Sequence, residues 1–332
     1  MKHIGKIILI GFFILLLAAV TLVIVWAKQP QGTAMELDVP VEVQAKQVDI
    51  VEPAQPAQKT CGETGIMRLL VHGRASPMLS GHYGADAVRL VIVNFDVPSA
   101  AVLALPAELW VNSPVLADQG IEQAELNMVY QTAWETAHGE PDDVRTQKAT
   151  QALAQTIVDN FEFVPDHYIT VEEEAYIEFI DEIGGVDVTL TSAVDGTSEG
   201  YGTYNAGVNH LDGLRTLNLT RLVHPSAQPE PDIWGSLSRQ DAVLQGMLTA
   251  ALKPENLGNL PDLVKALRKV VTTDLSVDQA LDLACMLQEV GESAGLESVG
   301  PPPYLVTIDA EGRMMPDVEG IKALLAQMAG GN

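Results

Sequence analysis

The chain has 332 residues, of which 47% are hydrophobic but only 5% aromatic; that is enough apolar material to close a core and too much for a disordered chain. Its formal net charge is −25, with 44 acidic residues against 19 Lys and Arg. Such a surface disfavours nucleic-acid binding, which depends on cations neutralising phosphates, but it admits an anionic ligand where the few arginines converge on one pocket.

Residues 1–6 form a short basic tail carrying Lys2 and Lys6, and residues 7–26 follow without a single charge. A helix of that length matches the roughly 30 Å hydrocarbon core of a bilayer, with Trp26 at the far edge, where amphipathic rings favour the interface. Lys2 and Lys6 precede the run and only Lys28 follows closely, so the positive-inside rule places the N-terminus in the cytoplasm and the rest outside. A cleaved signal peptide would have a shorter apolar stretch and a small-x-small site after it. The expectation is therefore an uncleaved anchor in the cell membrane. Residues 27–64, rich in Pro, Gln, Val and Ala, read as an extended extracytoplasmic tether. Cys61 ends it and Cys285 lies far along the chain. Two readings stay open: a disulfide pinning the tether to the domain, or two unpaired thiols.

Beyond the tether, residues 65–332 read as one domain. Apolar, β-branched runs at 66–71, 88–95 and 102–105 predict strands buried on both faces. Residues 148–161 have helical periodicity, 167–171 read as a strand, and 172–183 as a helix stopped by Gly184-Gly185. A strand at 186–190 follows, then helices at 211–223 and 239–252 around a Pro-rich loop, 225–231. Residues 260–290 read as helical with a break at 272–276, 305–308 as a strand and 317–328 as a closing helix. Strands alternating with helices predict an α/β domain, a central sheet flanked by helices.

Standard site signatures are absent: no Gly-x-Gly-x-x-Gly, no P-loop, no Gly-x-Ser-x-Gly elbow and no His-Glu-x-x-His. The acid run Glu172-Glu173-Glu174 opens a helix, where the dipole stabilises negative charge, and reads as a solvated cap rather than a metal site.

The order of short motifs goes further. Val71-His72-Gly73 is followed by Gly84-Ala85-Asp86, Leu105-Pro106-Ala107-Glu108 and Leu126-Asn127-Met128-Val129-Tyr130. Then come Ile183-Gly184-Gly185-Val186-Asp187-Val188, Leu211-Asp212-Gly213, Thr220-Arg221-Leu222-Val223-His224 and Ser238-Arg239-Gln240. With its core motifs over residues 65–252, this series resembles the LytR-CpsA-Psr family of cell-envelope proteins. The resemblance implies a mixed central sheet flanked by helices after one N-terminal transmembrane helix. It also implies an activity: moving a glycan with its proximal phosphate from a polyprenyl-pyrophosphate carrier to peptidoglycan or another envelope acceptor, with Mg2+.

Carried over by motif, Asp86 is a catalytic and metal-binding candidate, and Asp232, one position off a family acid, a second metal candidate. Arg239 is the other catalytic candidate, and Arg221, Arg74, His224 and Gln240 are candidates for binding the substrate. The chain departs from the family pattern where Ala85, Ala107, Val223 and Ser236 stand in place of arginines. A desolvated pyrophosphate needs charged partners, and each charged hydrogen bond lost weakens binding by roughly 1.5–3 kcal/mol. This thinning supports a second reading, a catalytically impaired polyprenyl-lipid-binding or scaffolding protein of the envelope.

Overall fold

A computed structural model describes residues 32–48, 61–81, 83–226, 232–251, 271–276, 278–280, 282–283, 285–286, 297–299 and 305–330. The expected anchor, 7–26, and most of the expected helical stretch 260–290 lie outside these residues. No helix among the described residues is long and apolar enough to cross a membrane. In chain order the main strands are β1 (Ile66–Arg74), β2 (Ala85–Asn94), β3 (Ser99–Leu105), β4 (His167–Glu172), β5 (Val186–Leu190), β6 (Gly207–Leu211), β7 (Val271–Thr273) and β8 (Glu297–Val299). The main helices are α1 (Val41–Val48), α2 (Leu126–Thr136), α3 (Asp142–Phe161), α4 (Glu173–Glu182), α5 (Gly213–Arg221), α6 (Ile233–Ala251) and α7 (Val318–Gly330). Where the sequence predicts one domain over 65–332, the structure has two compact units.

The sheet unit takes in Gln29–Val171, Thr272–Gln279 and Glu297–Asn332. Its six strands are ordered β7-β4-β1-β2-β3-β8. β1, β2 and β3 form an antiparallel meander, with Leu70 opposite Leu90 and Leu90 opposite Leu103, while β8 runs parallel to β3. The sheet is therefore mixed, as the resemblance implies. Four consecutive residues of β1, Met67 to Leu70, are buried, so both faces of this strand are covered. The β2–β3 turn is closed by Asn94, whose Oδ1 accepts from the backbone N–H of Asp96 and of Val97, both at 3.0 Å.

α2 and α7 pack against β2, and α2 and α3 pack against each other. α3 buries Ala149, Leu153, Ile157 and Phe161, the periodicity that predicts it, but it starts earlier, at Asp142 just after Pro141. α2 has no side-chain cap at its N-terminus, and nothing in the sequence marks its start. The strand expected at 305–308 pairs as Val306–Ile308 with Met314–Pro316 in a hairpin of its own.

The described part of the expected extended tether is not extended throughout. Residues 41–48 are helical and Val43 is buried. Just upstream, Gln155 of α3 bonds the backbone N–H and carbonyl of Asp38, both at 2.8 Å, and Gln151 donates to the carbonyl of Glu36. Lys46 pairs with Glu162 at 2.6 Å. Amide side chains thus satisfy an extended backbone that the composition alone presents as solvated. Both cysteines, Cys61 and Cys285, are engaged in a disulfide.

The helical unit takes in Glu172–Val271 and the described residues of Ala280–Leu296. β5 and β6 form an antiparallel ribbon, Val186 opposite Leu211 and Leu190 opposite Gly207. α4 packs on α5, α5 on α6, and α6 on β5. Gly184 and Gly185 end α4 with φ of +81° and +82°, the left-handed conformation that only Gly adopts at little cost. Gly213 lets α5 meet α4 backbone to backbone, since a Cβ there would lie 2.3 Å from the carbonyl oxygen of Ile177. The helix expected at 211–223 is shorter because Gly207–Leu211 is a strand, and the one expected at 239–252 starts at Ile233.

Candidate functional site

In the sheet unit, β1 and β2 pair residue for residue from Ile66↔Asn94 to Gly73↔Ala87, and then the register slips so that Arg74 faces Ala85. Asp86 is the extra residue of this bulge, opposite the Gly73–Arg74 step. A bulge re-aims side chains at the end of a strand pair, and here it brings two predicted site residues, Arg74 and Asp86, to the same place. Both side chains are half-buried. Tyr83, three residues before Asp86, stacks on Trp134 of α2 with ring centroids 3.4 Å apart. The guanidinium carbon of Arg74 lies 6.0 Å from the centre of the Tyr83 ring.

Behind Arg74 lies His72, fully buried on β1. Its Nε2 is 3.0 Å from Thr150 Oγ1 and 2.9 Å from Thr170 Oγ1, and its ring meets Tyr130 at 5.0 Å. Burial, helped by the nearby Arg74 charge, pushes the imidazole from its ordinary 6.5 down to about 3, against a backbone hydrogen bond at Gly73 that raises it. His72 therefore stays neutral when folded and binds a proton when unfolded. The stability it contributes is complete above about pH 6.5 and is lost as the pH falls towards 3, with a slope of up to about 1.4 kcal/mol per pH unit. Urea unfolding of the wild type and of His72→Gln across that window should show a shallower pH dependence in the variant; equal slopes would remove His72 as the cause.

In the helical unit, the other candidates gather around the end of α5. The carboxylate of Glu173, at the start of α4, accepts from Arg221 Nη2, and the two side chains are only 6% and 10% exposed. Glu173 is thus a buried ion-pair partner, not the solvated cap that its place in an acid run suggests. Arg239 Nη1 donates to Asp232 Oδ2 at 2.8 Å, and Nη2 donates to the carbonyl of Leu222. Ser236 Oγ and Gln240 Nε2 donate to the carbonyl of Thr220 at 3.3 and 3.2 Å. One face of α6 therefore satisfies carbonyls that the end of α5 leaves without helical partners, and its arginine meets the negative end of that helix dipole. Ser236, where the resemblance expects an arginine, serves in this cap.

Asp232 opens α6. Its carbonyl accepts from Ser236 N at 2.8 Å and its Oδ1 from Gly235 N at 3.1 Å. A Cβ at position 235 would lie 1.9 Å from Asp232 Oδ2, so a side chain there would displace the capping carboxylate. Both oxygens of Asp232 are engaged, one with the Gly235 N–H and one with Arg239. His224 stands apart with an exposed side chain; its backbone N–H donates to Glu199 Oε1 and its carbonyl accepts from Ser198 Oγ at 2.8 Å. A shallow concavity of about 600 Å³ elsewhere on this unit is lined by Thr203, Asn205, Asn209, His210 and Arg215 among others, and by none of the predicted site residues.

No group of three or more His, Cys, Asp or Glu among the described residues is arranged to hold a metal. Mg2+ does not require one, since it commonly binds through one or two carboxylates and substrate phosphates, with water filling its remaining positions. The half-exposed carboxylate of Asp86 fits that mode.

A family model described as the LytR_cpsA_psr family matches residues 35–299. The chain belongs to this family. Curated LytR_cpsA_psr relatives include the polyisoprenyl-teichoic acid–peptidoglycan teichoic acid transferase TagU of Bacillus anthracis, 33% identical over 132 residues, which are 40% of this chain and 42% of that protein. TagU of Enterococcus faecalis is 27% identical over 136 residues, again 40% and 42%. The chain thus spans about two fifths of the length of the curated relatives it matches. Among solved LytR_cpsA_psr-like structures, B. subtilis TagV superposes with a TM-score of 0.58 at 17% identity, covering 81% of this chain and 98% of TagV. The LytR-Csp2A-Psr enzyme from Actinomyces oris gives a TM-score of 0.57 at 18% identity, covering 83% and 96%. These likenesses establish the mixed α/β fold.

Proposed function

We propose that this LytR_cpsA_psr protein is a cell-envelope glycopolymer phosphotransferase. It would move a glycan phosphate from a polyprenyl-pyrophosphate carrier to peptidoglycan or another envelope acceptor, at the outer face of the cell membrane, anchored by residues 7–26. Family membership over most of the chain supports this reading, as does the activity named for TagU. A disulfide suits an oxidising compartment outside the cytoplasm. The observation that carries the chemistry is the bulge that sets Asp86 beside Arg74.

In this mechanism the acceptor hydroxyl oxygen bonds to the glycan-side phosphorus and its proton passes to solvent. The bond from that phosphorus to the bridging oxygen breaks, and polyprenyl phosphate leaves. Asp86 presents its carboxylate to Mg2+, which supplies positive charge against the phosphate oxygens when bound. Arg74 offers a forked donor to the diphosphate; Arg221, Arg239, Gln240 and His224, which the resemblance assigns to catalysis or substrate binding, belong to the helical unit. Preorganised cations facing the developing charge are the main lever of phosphoryl transfer.

The second reading, a lipid-binding or scaffolding envelope protein, is favoured by one observation: Arg221 and Arg239 already hold Glu173 and Asp232, with which a diphosphate would have to compete. The two readings separate when the full-length protein in nanodiscs is given a polyprenyl-pyrophosphate-linked glycan with and without Mg2+. Magnesium-dependent release of polyprenyl phosphate is the expected result. Binding without release would establish the carrier reading, and absence of binding would overturn both.

A further inference from the structure

Arg145 belongs to none of the motifs that carry the family resemblance. It lies in the first turn of α3, and three contacts fix its side chain. Its Nε donates to the carbonyl of Trp134 at 3.1 Å. Its guanidinium carbon sits 3.0 Å above the centre of the Trp134 ring, which stacks in turn on Tyr83. Arg145 and Arg74 also bracket one ring: their guanidinium carbons lie 5.9 and 6.0 Å from the centre of Tyr83.

These contacts leave a particular part of Arg145 uncommitted. Among the described residues its two terminal nitrogens make no hydrogen bond. Its ion pair is with Asp142 at 3.9 Å, a side chain that is itself 77% exposed. The guanidinium is thus held in position by its Nε edge and its face; the side chain is 16% exposed, and the forked edge that recognises phosphate oxygens makes no hydrogen bond among the described residues. An arginine fixed in this way loses little conformational freedom on binding an anion. It does so in a chain where acidic residues outnumber basic ones more than two to one, and beside the bulge that presents Asp86. A purely structural role, stapling α2 to α3, explains the Nε bond and the stacking but leaves the fork only the 3.9 Å pair with exposed Asp142.

We propose that Arg145 and Arg74, placed around Tyr83, form a diphosphate subsite beside Asp86. It makes good part of the positive charge missing at Ala85 and Ala107. That the diphosphate belongs to a lipid carrier rests on the function proposed above; the subsite itself does not.

The test uses the full-length protein in nanodiscs and inorganic pyrophosphate as the probe, without metal, by isothermal titration. The wild type should bind, and Arg145→Gln should bind about tenfold more weakly or worse, as expected for a lost charged hydrogen bond. Arg145→Lys, which keeps the charge but not the fork, should fall between them. A second measurement needs no variant: pyrophosphate should protect Arg145 of the wild type from modification by phenylglyoxal, read by peptide mass spectrometry. Unchanged affinity in Arg145→Gln, or no protection of Arg145, would overturn the proposal. Weakened pyrophosphate binding in a protein that transfers no glycan would leave the subsite standing and remove the transferase. Transfer with unchanged pyrophosphate affinity in Arg145→Gln would do the reverse.

Discussion

Asp86→Asn should lower magnesium-dependent transfer by about 100-fold or more while leaving the protein folded, a loss typical of removing one charge-stabilising group from a preorganised site. The substitution keeps the shape of the side chain and removes only its charge. Asp86 is half-buried at the end of β2, not in the core, so the folded state should tolerate an amide. The bulge is a backbone feature and will persist. An amide oxygen is a poorer ligand than a carboxylate for a hard divalent cation, so higher magnesium should recover part of the loss. Turnover measured across a magnesium series, with unfolding midpoints as the control, checks this. Wild-type turnover in Asp86→Asn at low magnesium would remove Asp86 from the site and leave the bulge without a catalytic purpose.

Glu173→Ala should destabilise the helical unit by about 3–5 kcal/mol, the usual consequence of leaving one member of a buried ion pair without its partner. Glu173 and Arg221 lie almost wholly out of water, so the guanidinium left behind cannot recover its hydration without disturbing α4 and α5. The double variant Glu173→Ala, Arg221→Met should recover most of that loss, because an apolar chain of similar length needs no counter-charge. Urea unfolding of the single and double variants measures the difference. A cost below about 1 kcal/mol for Glu173→Ala would place the pair in the class of solvated surface bridges and leave Arg221 available to a ligand at little expense.

The sequence made some elements plain because their cause is local. β1, β2 and β3 announce themselves as apolar β-branched runs, α3 by its periodicity, and the end of α4 by two glycines that must be left-handed. Other elements depend on contacts made far along the chain. The helix Val41–Val48 sits in a Pro- and Gln-rich segment whose backbone is satisfied by side chains of α3, more than a hundred residues away. The site divides in the same way. Motif order singles out Asp86, Arg221 and Arg239 as candidates, but the bulge depends on a register slip that neither strand encodes alone. Glu173 sits among three acids, and only the docking of α4 decides that it is the one turned inward. Arg145 carried no signal, since it precedes the stretch 148–161 whose periodicity predicts the helix.

The disulfide has a topological consequence. Joining Cys61 to Cys285 turns roughly 220 residues of backbone into a closed ring. A single proteolytic cut anywhere inside that ring opens it without releasing a fragment, so the nicked chain would keep its mass until a reductant parts the two sulfurs. In a compartment exposed to extracellular proteases, such a molecule could be cleaved once and still remain a single covalent body.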